Sequence, residues 1–206
     1  MVVDFCAGAG GKTLAIGATM RNTGRLYAFD TSAHRLDALK PRLARSKLSN
    51  VHPAAIAHER DERIKRLAGK IDRVLVDAPC SGLGTLRRNP DLKWRQSPKS
   101  VEELTAKQAA ILQSAARLVK SGGRLVYATC SVLPEENEAI AEAFGAANPE
   151  FEPQDAVDLL NGLNVAGAEG LAAGGGGGKR YLRLWPHRHD TDGFFAAVWN
   201  RELGER

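Results

Sequence analysis

Short apolar runs alternate with helix-like segments along most of this chain, and that alternation narrows the folds open to it. The runs are continuously apolar rather than alternating between apolar and polar residues, which is typical of strands buried on both faces of a parallel sheet. We therefore expect an α/β protein with a mostly parallel sheet. The seven predicted strands are Met1 to Phe5, Arg25 to Phe29, a weaker one at Asn50-Val51, Arg73 to Val76, Arg124 to Ala128, Tyr181 to Trp185 and Phe194 to Asn200.

Helical segments connect several of these strands. Ser32 is a suitable N-cap for the second helix, and Gly122-Gly123 can end the third. Proline and acidic residues open the fourth helix, where the helix dipole favours negative charge. The four predicted helices are Lys12 to Met20, Ser32 to Leu48, Val101 to Val119 and Pro134 to about Ala147.

Two loops stand out by length or composition. Residues 81–98 have neither helical nor strand periodicity, and loops of that length inside a compact domain are usually functional or disordered, so we expect this one to face substrate. Residues 167–179 include five consecutive glycines, which cannot hold one conformation cheaply. We expect a flexible surface loop there.

Composition bounds the class of protein. The 206 residues fit one domain, residues 1–206, and 43% hydrophobic content is ordinary for a globular protein. The net charge of +5 suits a polyanionic partner, although many basic proteins bind no nucleic acid. Three cysteines without a C-x-x-C pair, no secretory leader and no apolar run of about 20 residues predict a reduced, cytoplasmic protein outside the membrane. We expect a monomer that holds no metal.

The glycine-rich segment from Cys6 to Thr13 (CAGAGGKT) follows the first strand. A phosphate-binding P-loop is excluded because Cys6 occupies the position of its first glycine. A full dinucleotide-binding motif is excluded because Thr13 occupies the position of its third glycine. The remaining interpretation is a turn that brings the backbone close to a ligand. Asp30, at the end of the next strand, could then bind ribose hydroxyls. The pattern indicates an adenosine-containing cofactor, and a purely structural turn is the alternative.

Cys80 and Cys130 each follow a predicted strand and have neighbours typical of exposed turns. A thiolate at such a position can attack an electrophilic carbon, such as carbon 6 of a pyrimidine. With an acid hydrogen-bonded to N3 and the exocyclic amine, that attack makes carbon 5 nucleophilic enough to take a methyl group. Cys6, inside the glycine turn, is interpreted instead as a small buried hydrophobe or a backbone-only contact.

Taken together, these motifs resemble the RsmB/Sun family of S-adenosylmethionine-dependent RNA cytosine-5 methyltransferases, over essentially the whole chain. The resemblance implies a Rossmann-like class I methyltransferase fold with a seven-stranded, mostly parallel sheet, an antiparallel C-terminal strand and helices on both faces. The motifs that carry it are residues 4–13, residues 77–90 (DAPCSGLGTLRRNP), residues 127–131 (YATCS) and residues 192–195 (DGFF).

The family resemblance also implies roles for individual residues. Cys130 would be the nucleophile, Cys80 would assist release of the methylated base, and Asp77 would bind the cytosine edge beside the cofactor. Lys12 is expected near Asp77 or near the substrate. The cofactor-binding residues implied by the resemblance are Cys6, Ala7, Gly8, Ala9, Gly10, Gly11, Lys12, Asp30 on the ribose, Asp77, and either Glu59 or Asp61 against adenine, with Glu59 preferred.

Other positions stay open between two interpretations. Arg35 is a candidate for the region of the cofactor carboxylate, but a solvated helix face is the favoured interpretation. Arg87-Arg88 and Lys93 to Arg95 either contact RNA, with Trp94 stacking on a base, or form a solvated loop.

The expected partner is RNA, either rRNA or tRNA. Relatives usually carry an RNA-binding segment before the first catalytic strand, whereas this chain starts almost on that strand, so we expect an isolated catalytic domain or a truncated gene product. The alternatives are a non-catalytic domain that binds cofactor or RNA, and a methyltransferase of the same fold acting on DNA or protein.

Overall fold

A single mixed sheet runs through the structure, a computed structural model that describes residues 1–175 and 178–204. The strands within this part of the chain are β1 (Val2–Asp4), β2 (Leu26–Asp30), β3 (Val51–Ala55), β4 (Ile71–Asp77), β5 (Val119–Thr129), β6 (Phe151–Pro153), β7 (Ala172–Ala173), β8 (Tyr181–Leu184) and β9 (Phe194–Arg201). The helices are α1 (Gly11–Thr19), α2 (Ala33–Ser46), α3 (Glu62–Lys65), α4 (Leu92–Arg95), α5 (Pro98–Ala116), α6 (Glu138–Ala147), α7 (Ala156–Gly162) and α8 (Pro186–His189). Short 3-10 turns cover Leu83–Thr85, Pro134–Glu136 and Ala168–Leu171.

The strand order is β3-β2-β1-β4-β5-β9-β8-β7, with β6 paired to β9. Strands β1 to β5 are parallel to one another, and β9 pairs antiparallel with β5. The chain therefore moves outward in one direction from β1 and in the other from β4. In open α/β sheets, ligands bind at the carboxyl ends of the strands where the order reverses, which here lies between β1 and β4.

The expected α/β fold with an antiparallel C-terminal strand is confirmed, and the sheet has nine strands rather than seven. The two additional strands, β6 and β7, contain three and two residues. Strands this short leave no periodic signal in the sequence. The second of them and the 3-10 turn before it lie within residues 167–179, where a flexible loop is predicted; positions 176 and 177 of that loop lie outside the described residues.

The boundary between α5 and β5 differs from the prediction. The helix ends at Ala116 rather than near Val119, and β5 begins at Val119 rather than Arg124. Val119 pairs with Ile71 of β4, and both side chains are buried. Strand pairing therefore overrides the local tendency to continue the helix. The loop of residues 81–98 also contains more regular structure than expected, namely a 3-10 turn and α4.

Helices cover both faces of the sheet, as expected. On one face, α1 and α2 pack on β2 and β3 through a cluster that includes Leu26, Ala28 and Leu39. On the other, α5 and α6 pack on the central strands in a larger cluster. Ser32 caps α2, since its hydroxyl accepts a hydrogen bond from the amide of Arg35 at 3.3 Å. Within the described residues, none of the helices combines the length and the apolar character needed to cross a bilayer.

Candidate active site

A cavity of about 520 Å³ lies at the carboxyl ends of β1, β2, β4 and β5, where the strand order reverses. Three of the four sequence motifs and Asp30 contribute to its wall. The lining residues are Cys6, Ala7, Gly8, Ala9, Gly11, Lys12, Asp30, Arg35, Asp77, Ala78, Pro79, Cys80 and Cys130. The structure thus brings together most of the residues that the sequence assigns to the site, including Arg35.

The glycine loop presents bare backbone to this cavity. A Cβ built on Gly8 or Gly11 meets no atom within 4 Å, so the space beside both residues is open to a ligand. Gly10 has a different role and does not line the cavity. Its φ is +86°, and a Cβ there would lie 2.1 Å from Leu39 Cδ1. Glycine at this position therefore lets the turn pack closely against α2.

Asp30 holds the glycine loop in place from the end of β2. Its Oδ2 accepts a hydrogen bond from the Gly8 amide at 2.8 Å, and its Oδ1 accepts one from the Ser32 amide at 2.7 Å. Each carboxylate oxygen has a second lone pair. Asp30 can therefore fix the loop and still accept hydrogen bonds from hydroxyl groups of a ligand in the cavity.

Asp77, at the end of β4, forms an ion pair with Lys12 of α1. Lys12 Nζ lies 2.7 Å from Asp77 Oδ2 and 5.6 Å from the centre of the Phe194 ring. Lys12 therefore lies beside Asp77, which is one of the two positions expected for it. The contact with Phe194 brings part of the fourth motif to the edge of the same site.

A buried acid that the sequence interpretation did not assign to the site lies beneath the glycine turn. Asp4 is fully buried in β1 and accepts a hydrogen bond from Thr13 Oγ1 at 2.6 Å. Burial raises the pKa of Asp4 from its ordinary 3.8 to about 6. A charged residue at the end of an otherwise apolar strand is the sequence signal that could have pointed to this position.

Cys80 and Cys130 face each other, with 3.4 Å between their Sγ atoms, and both are free thiols. The hydrogen bond to Cys130, together with burial, raises the pKa of the Cys80 thiol. The same hydrogen bond lowers the pKa of Cys130. These opposite shifts in pKa correspond to a thiol on Cys80 that donates to a thiolate on Cys130. Burial raises the pKa of Cys6, in keeping with its interpretation as a small hydrophobe.

Three motif segments meet through their backbones beside this thiol pair. The Gly84 amide donates to the Cys130 carbonyl at 2.9 Å, and the Gly193 amide donates to the Gly84 carbonyl at 2.7 Å. A Cβ on Gly84 would come within 2.3 Å of the Gly193 oxygen and 2.6 Å of the Cys130 oxygen. Arg88 and Asp192 form an ion pair between two of these segments. Close backbone approach therefore joins residues far apart in sequence.

The two candidates for an adenine contact, Glu59 and Asp61, have different surroundings. Glu59 is not among the residues that line the cavity; its side chain is 26% exposed and its nearest cation is Arg60, at 3.8 Å. Asp61 caps α3 and accepts hydrogen bonds from the amides of Ala57 and Arg63 at 3.0 and 2.9 Å. These amides lower the pKa of Asp61, so its carboxylate is engaged within its own loop.

The loop of residues 81–98 carries an exposed aromatic residue. Trp94, in α4, is 81% exposed, and Lys93 Nζ lies 5.0 Å from the centre of its ring. The loop is tied to the residue after Cys80, because Gln96 Nε2 donates to the Ser81 carbonyl at 3.0 Å. Trp94 is therefore presented to solvent on a segment anchored beside the cavity.

The sequence is similar to those of known proteins over almost its whole length. Residues 1–200 match the family model described as 16S rRNA methyltransferase RsmB/F. The chain is 38% identical over 199 residues to a probable ribosomal RNA small subunit methyltransferase B of Synechocystis sp., covering 95% of this chain and 42% of the relative. It is 37% identical over 201 residues to ribosomal RNA small subunit methyltransferase F of Escherichia coli O157:H7, covering 95% of this chain and 39% of the relative.

A solved structure agrees in fold. The crystal structure of NSun6 from Pyrococcus horikoshii with SFG superposes with a TM-score of 0.79 at 28% identity, covering 100% of this chain and 48% of that one. This chain thus spans about two fifths of the length of the two curated relatives above.

Proposed function

The chain belongs to the RsmB/F family of 16S rRNA methyltransferases, and we propose that it transfers a methyl group from S-adenosylmethionine to carbon 5 of a cytosine in RNA. The observation that carries this proposal is the thiol pair. Cys80 and Cys130 lie 3.4 Å apart, in the wall of a cavity that also contains the glycine loop and Asp77. Small-subunit rRNA is the proposed substrate, because it is the substrate class named for the relatives.

The residues that would hold the cofactor lie on the β1 and β2 side of the cavity. The open backbone at Gly8 and Gly11 leaves room for a ligand, and Asp30 has lone pairs free for ribose hydroxyls. Glu59, which lies outside the cavity lining, is the proposed contact for adenine. When bound, S-adenosylmethionine supplies a methyl group activated by its positively charged sulfur.

Cys130 is the proposed nucleophile. Its Sγ would form a bond to carbon 6 of the cytosine, and the electrons of the carbon 5–carbon 6 double bond would then make carbon 5 nucleophilic. The hydrogen bond from Cys80, which lowers the pKa of Cys130, supports this assignment, because the thiolate is the reactive form.

Asp77 is proposed to bind the edge of the base. A protonated carboxyl group that donates to N3 and accepts a hydrogen bond from the exocyclic amine draws electron density from the ring and so favours attack at carbon 6. Lys12 Nζ donates to Asp77 Oδ2, so Oδ1 is free to carry the proton for N3, and the second lone pair of Oδ2 can accept from the amine. Lys12 therefore would orient Asp77 rather than contact the base itself.

Cys80 is proposed to assist release. After methylation, carbon 5 loses its proton, the carbon 5–carbon 6 double bond forms again and the bond to Cys130 Sγ breaks. Cys80 is the proposed acceptor of that proton, because it lies next to Cys130 on the same wall of the cavity. The Cys80 thiol must therefore first give its own proton to solvent water, and the resulting thiolate then takes the proton from carbon 5.

Methyl transfer from labelled S-adenosylmethionine to small-subunit rRNA tests this proposal, with bisulfite sequencing to locate the product. The wild-type protein should produce one new 5-methylcytosine, and Cys130→Ala should produce none. Retained activity in Cys130→Ala together with its loss in Cys80→Ala would move the nucleophile to the Pro-Cys cysteine, the arrangement of DNA cytosine enzymes. No methylation of any RNA by the wild-type protein would overturn the proposed function.

A further inference from the structure

A buried acid, Glu136, lies behind the two cysteine loops. It ends the 3-10 turn Pro134–Glu136, and its side chain is fully buried. The sequence pattern predicts the acids of residues 134–138 at the N-terminus of a helix, where the helix dipole would favour them. For Glu136 that prediction is wrong, because α6 begins only at Glu138 and the Glu136 side chain enters the core.

The Glu136 carboxylate binds the residue that follows Cys80. Its Oε1 accepts a hydrogen bond from the Ser81 amide at 2.8 Å, and its Oε2 accepts one from Ser81 Oγ at 2.5 Å. Gln108 of α5 donates to Oε1 at 3.0 Å and also to the carbonyl of Pro79 at 2.9 Å. The backbone on both sides of Cys80 is therefore tied to this carboxylate, directly at Ser81 and through Gln108 at Pro79.

The same network reaches the residue that follows Cys130. Ser81 Oγ lies 3.2 Å from Ser131 Oγ. Because Ser81 donates its one hydroxyl proton to Glu136, Ser131 must be the donor in this contact. Ser131 Oγ in turn accepts a hydrogen bond from the Leu133 amide at 3.0 Å. A directed chain of hydrogen bonds therefore runs from the Cys130 loop through Ser81 to Glu136.

Both carboxylate oxygens of Glu136 must act as hydrogen-bond acceptors in this network. The three groups that face it, the Ser81 amide, the Ser81 hydroxyl and the Gln108 amide, all donate. An amide side chain of the same size would present N–H groups to at least one of these donors, and a buried donor left without a partner is costly. Glutamate and glutamine are therefore not equivalent at this position.

We propose that Glu136 is a positioning residue that sets the place of Cys80 relative to Cys130. This inference rests on the proposed two-cysteine reaction and adds a residue to it. The Glu136 carboxylate binds the Cys80 loop directly and reaches the Cys130 loop through Ser81, whereas the contact with Tyr127 uses the backbone carbonyl of Glu136, which a change of side chain leaves in place. Loss of its carboxylate therefore disturbs the step that uses Cys80, release of the base, more than the attack by Cys130.

The first experiment compares Glu136→Gln, the matched control Glu135→Gln at its exposed neighbour, and Cys80→Ala. The covalent protein–RNA adduct is quantified on denaturing gels after mixing with small-subunit rRNA and S-adenosylmethionine. In Glu136→Gln, release should slow by about tenfold or more, the loss expected for one hydrogen bond to a charged group, while adduct forms at nearly the wild-type rate. Glu135→Gln should behave as wild type. Equal slowing of both steps, or no change in either, overturns the proposal.

A second readout needs no methylation. The pH dependence of Cys130 alkylation by iodoacetamide reports the thiolate that Cys80 stabilises through its hydrogen bond. In Glu136→Gln the midpoint should move to higher pH, in the direction of the Cys80→Ala protein, and in Glu135→Gln it should not. An unmoved midpoint in Glu136→Gln, while Cys80→Ala moves it, contradicts the positioning role even if the RNA reaction is active.

Thermal unfolding of each variant checks that it is folded. Ser81→Ala serves as a second variant because it removes only the hydrogen bonds of the Ser81 hydroxyl from the network. Ser81→Ala should slow release in the same direction as Glu136→Gln and by less, and a wild-type release rate would count against the proposal. Failure of the proposed function has a different signature. In that case the wild-type protein methylates no RNA, whereas the alkylation midpoint still responds to Glu136.

Discussion

Lys12 Nζ lies 2.7 Å from Asp77 Oδ2, which links the first turn of α1 to the end of β4 across the point where the strand order reverses. Both side chains are partly exposed, so the pair contributes little to stability, about 1 kcal/mol or less. Its position on the cavity wall instead fixes the direction of the Asp77 carboxylate.

Replacing Lys12 with methionine should therefore impair catalysis far more than folding. We expect methyl transfer to fall by about 10²-fold, the order of loss that follows from misplacing a catalytic group by about 1 Å. Lys40→Met is the matched control, because Lys40 forms a similar ion pair with Asp37 on the surface of α2. Initial rates and urea unfolding of both variants measure the two effects, and equal rates in Lys12→Met and Lys40→Met would refute this role.

Cys80→Ala should trap the RNA on the protein. The Cys130 adduct can still form, but its release lacks the neighbouring thiol, so turnover should fall by about 10²-fold while a denaturation-resistant complex accumulates. Gel electrophoresis with labelled RNA detects that complex. The Cys80→Ala/Cys130→Ala double variant is the control and should give none. Absence of the complex in the single variant would argue against the two-cysteine scheme.

Gly84→Ala should destabilise the protein. The added Cβ would meet the backbone oxygens of Gly193 and Cys130, which cannot move aside as a flexible side chain can. We expect a loss of about 1–3 kcal/mol in the free energy of unfolding, measured with urea. Gly162→Ala at the end of α7 is the control, since a Cβ there meets no atom within 4 Å. Similar stability of the two variants would show that the loops separate without cost.

Asp4 should make stability depend on pH in the acidic range. Its pKa rises from 3.8 in the unfolded chain to about 6 in the fold, so the folded state binds its proton more tightly. The free energy of unfolding should therefore fall by about 2 kcal/mol between pH 4 and pH 7 through this group, with most of the loss below pH 6.

Asp4→Asn removes this dependence and keeps an acceptor for Thr13. Urea unfolding at pH 4 and pH 7 should show a smaller decrease for Asp4→Asn than for the wild type, and Asp37→Asn, at an exposed position, should match the wild type. A parallel pH dependence in all three proteins would mean that Asp4 is not protonated in the fold.

Trp94→Ala should weaken RNA binding without changing the rate of methyl transfer once the RNA is bound. Stacking of a base on an exposed aromatic ring contributes about 1–3 kcal/mol, so we expect KM for RNA to rise by about tenfold and kcat to change little. Leu163→Ala, at a residue 74% exposed, tests for a general effect of losing an exposed apolar side chain. Unchanged KM in Trp94→Ala would favour the solvated-loop interpretation of this segment.

The strongest prediction from the sequence was that residues following the parallel strands meet at one edge of the sheet. Apolar runs predicted the central strands, and Asp30, Asp77 and Cys130 follow three of them, so their meeting at one edge of the sheet was expected from topology alone. Side-chain pairing was less accessible. Neither the contact between Cys80 and Cys130 nor the burial of Glu136 has a periodic signature, because both depend on how the loops pack.

The location of β9 within the sheet, between β5 and β8, has a consequence for biosynthesis. Residues 192–195, which close the site beside Gly84, are translated after all the other motifs. A nascent chain that has emerged only as far as β5 leaves that strand as an open edge, able to pair with another polypeptide. Assembly of the site must therefore wait until β9 has left the ribosome, so the site stays incomplete until late in the synthesis of this segment.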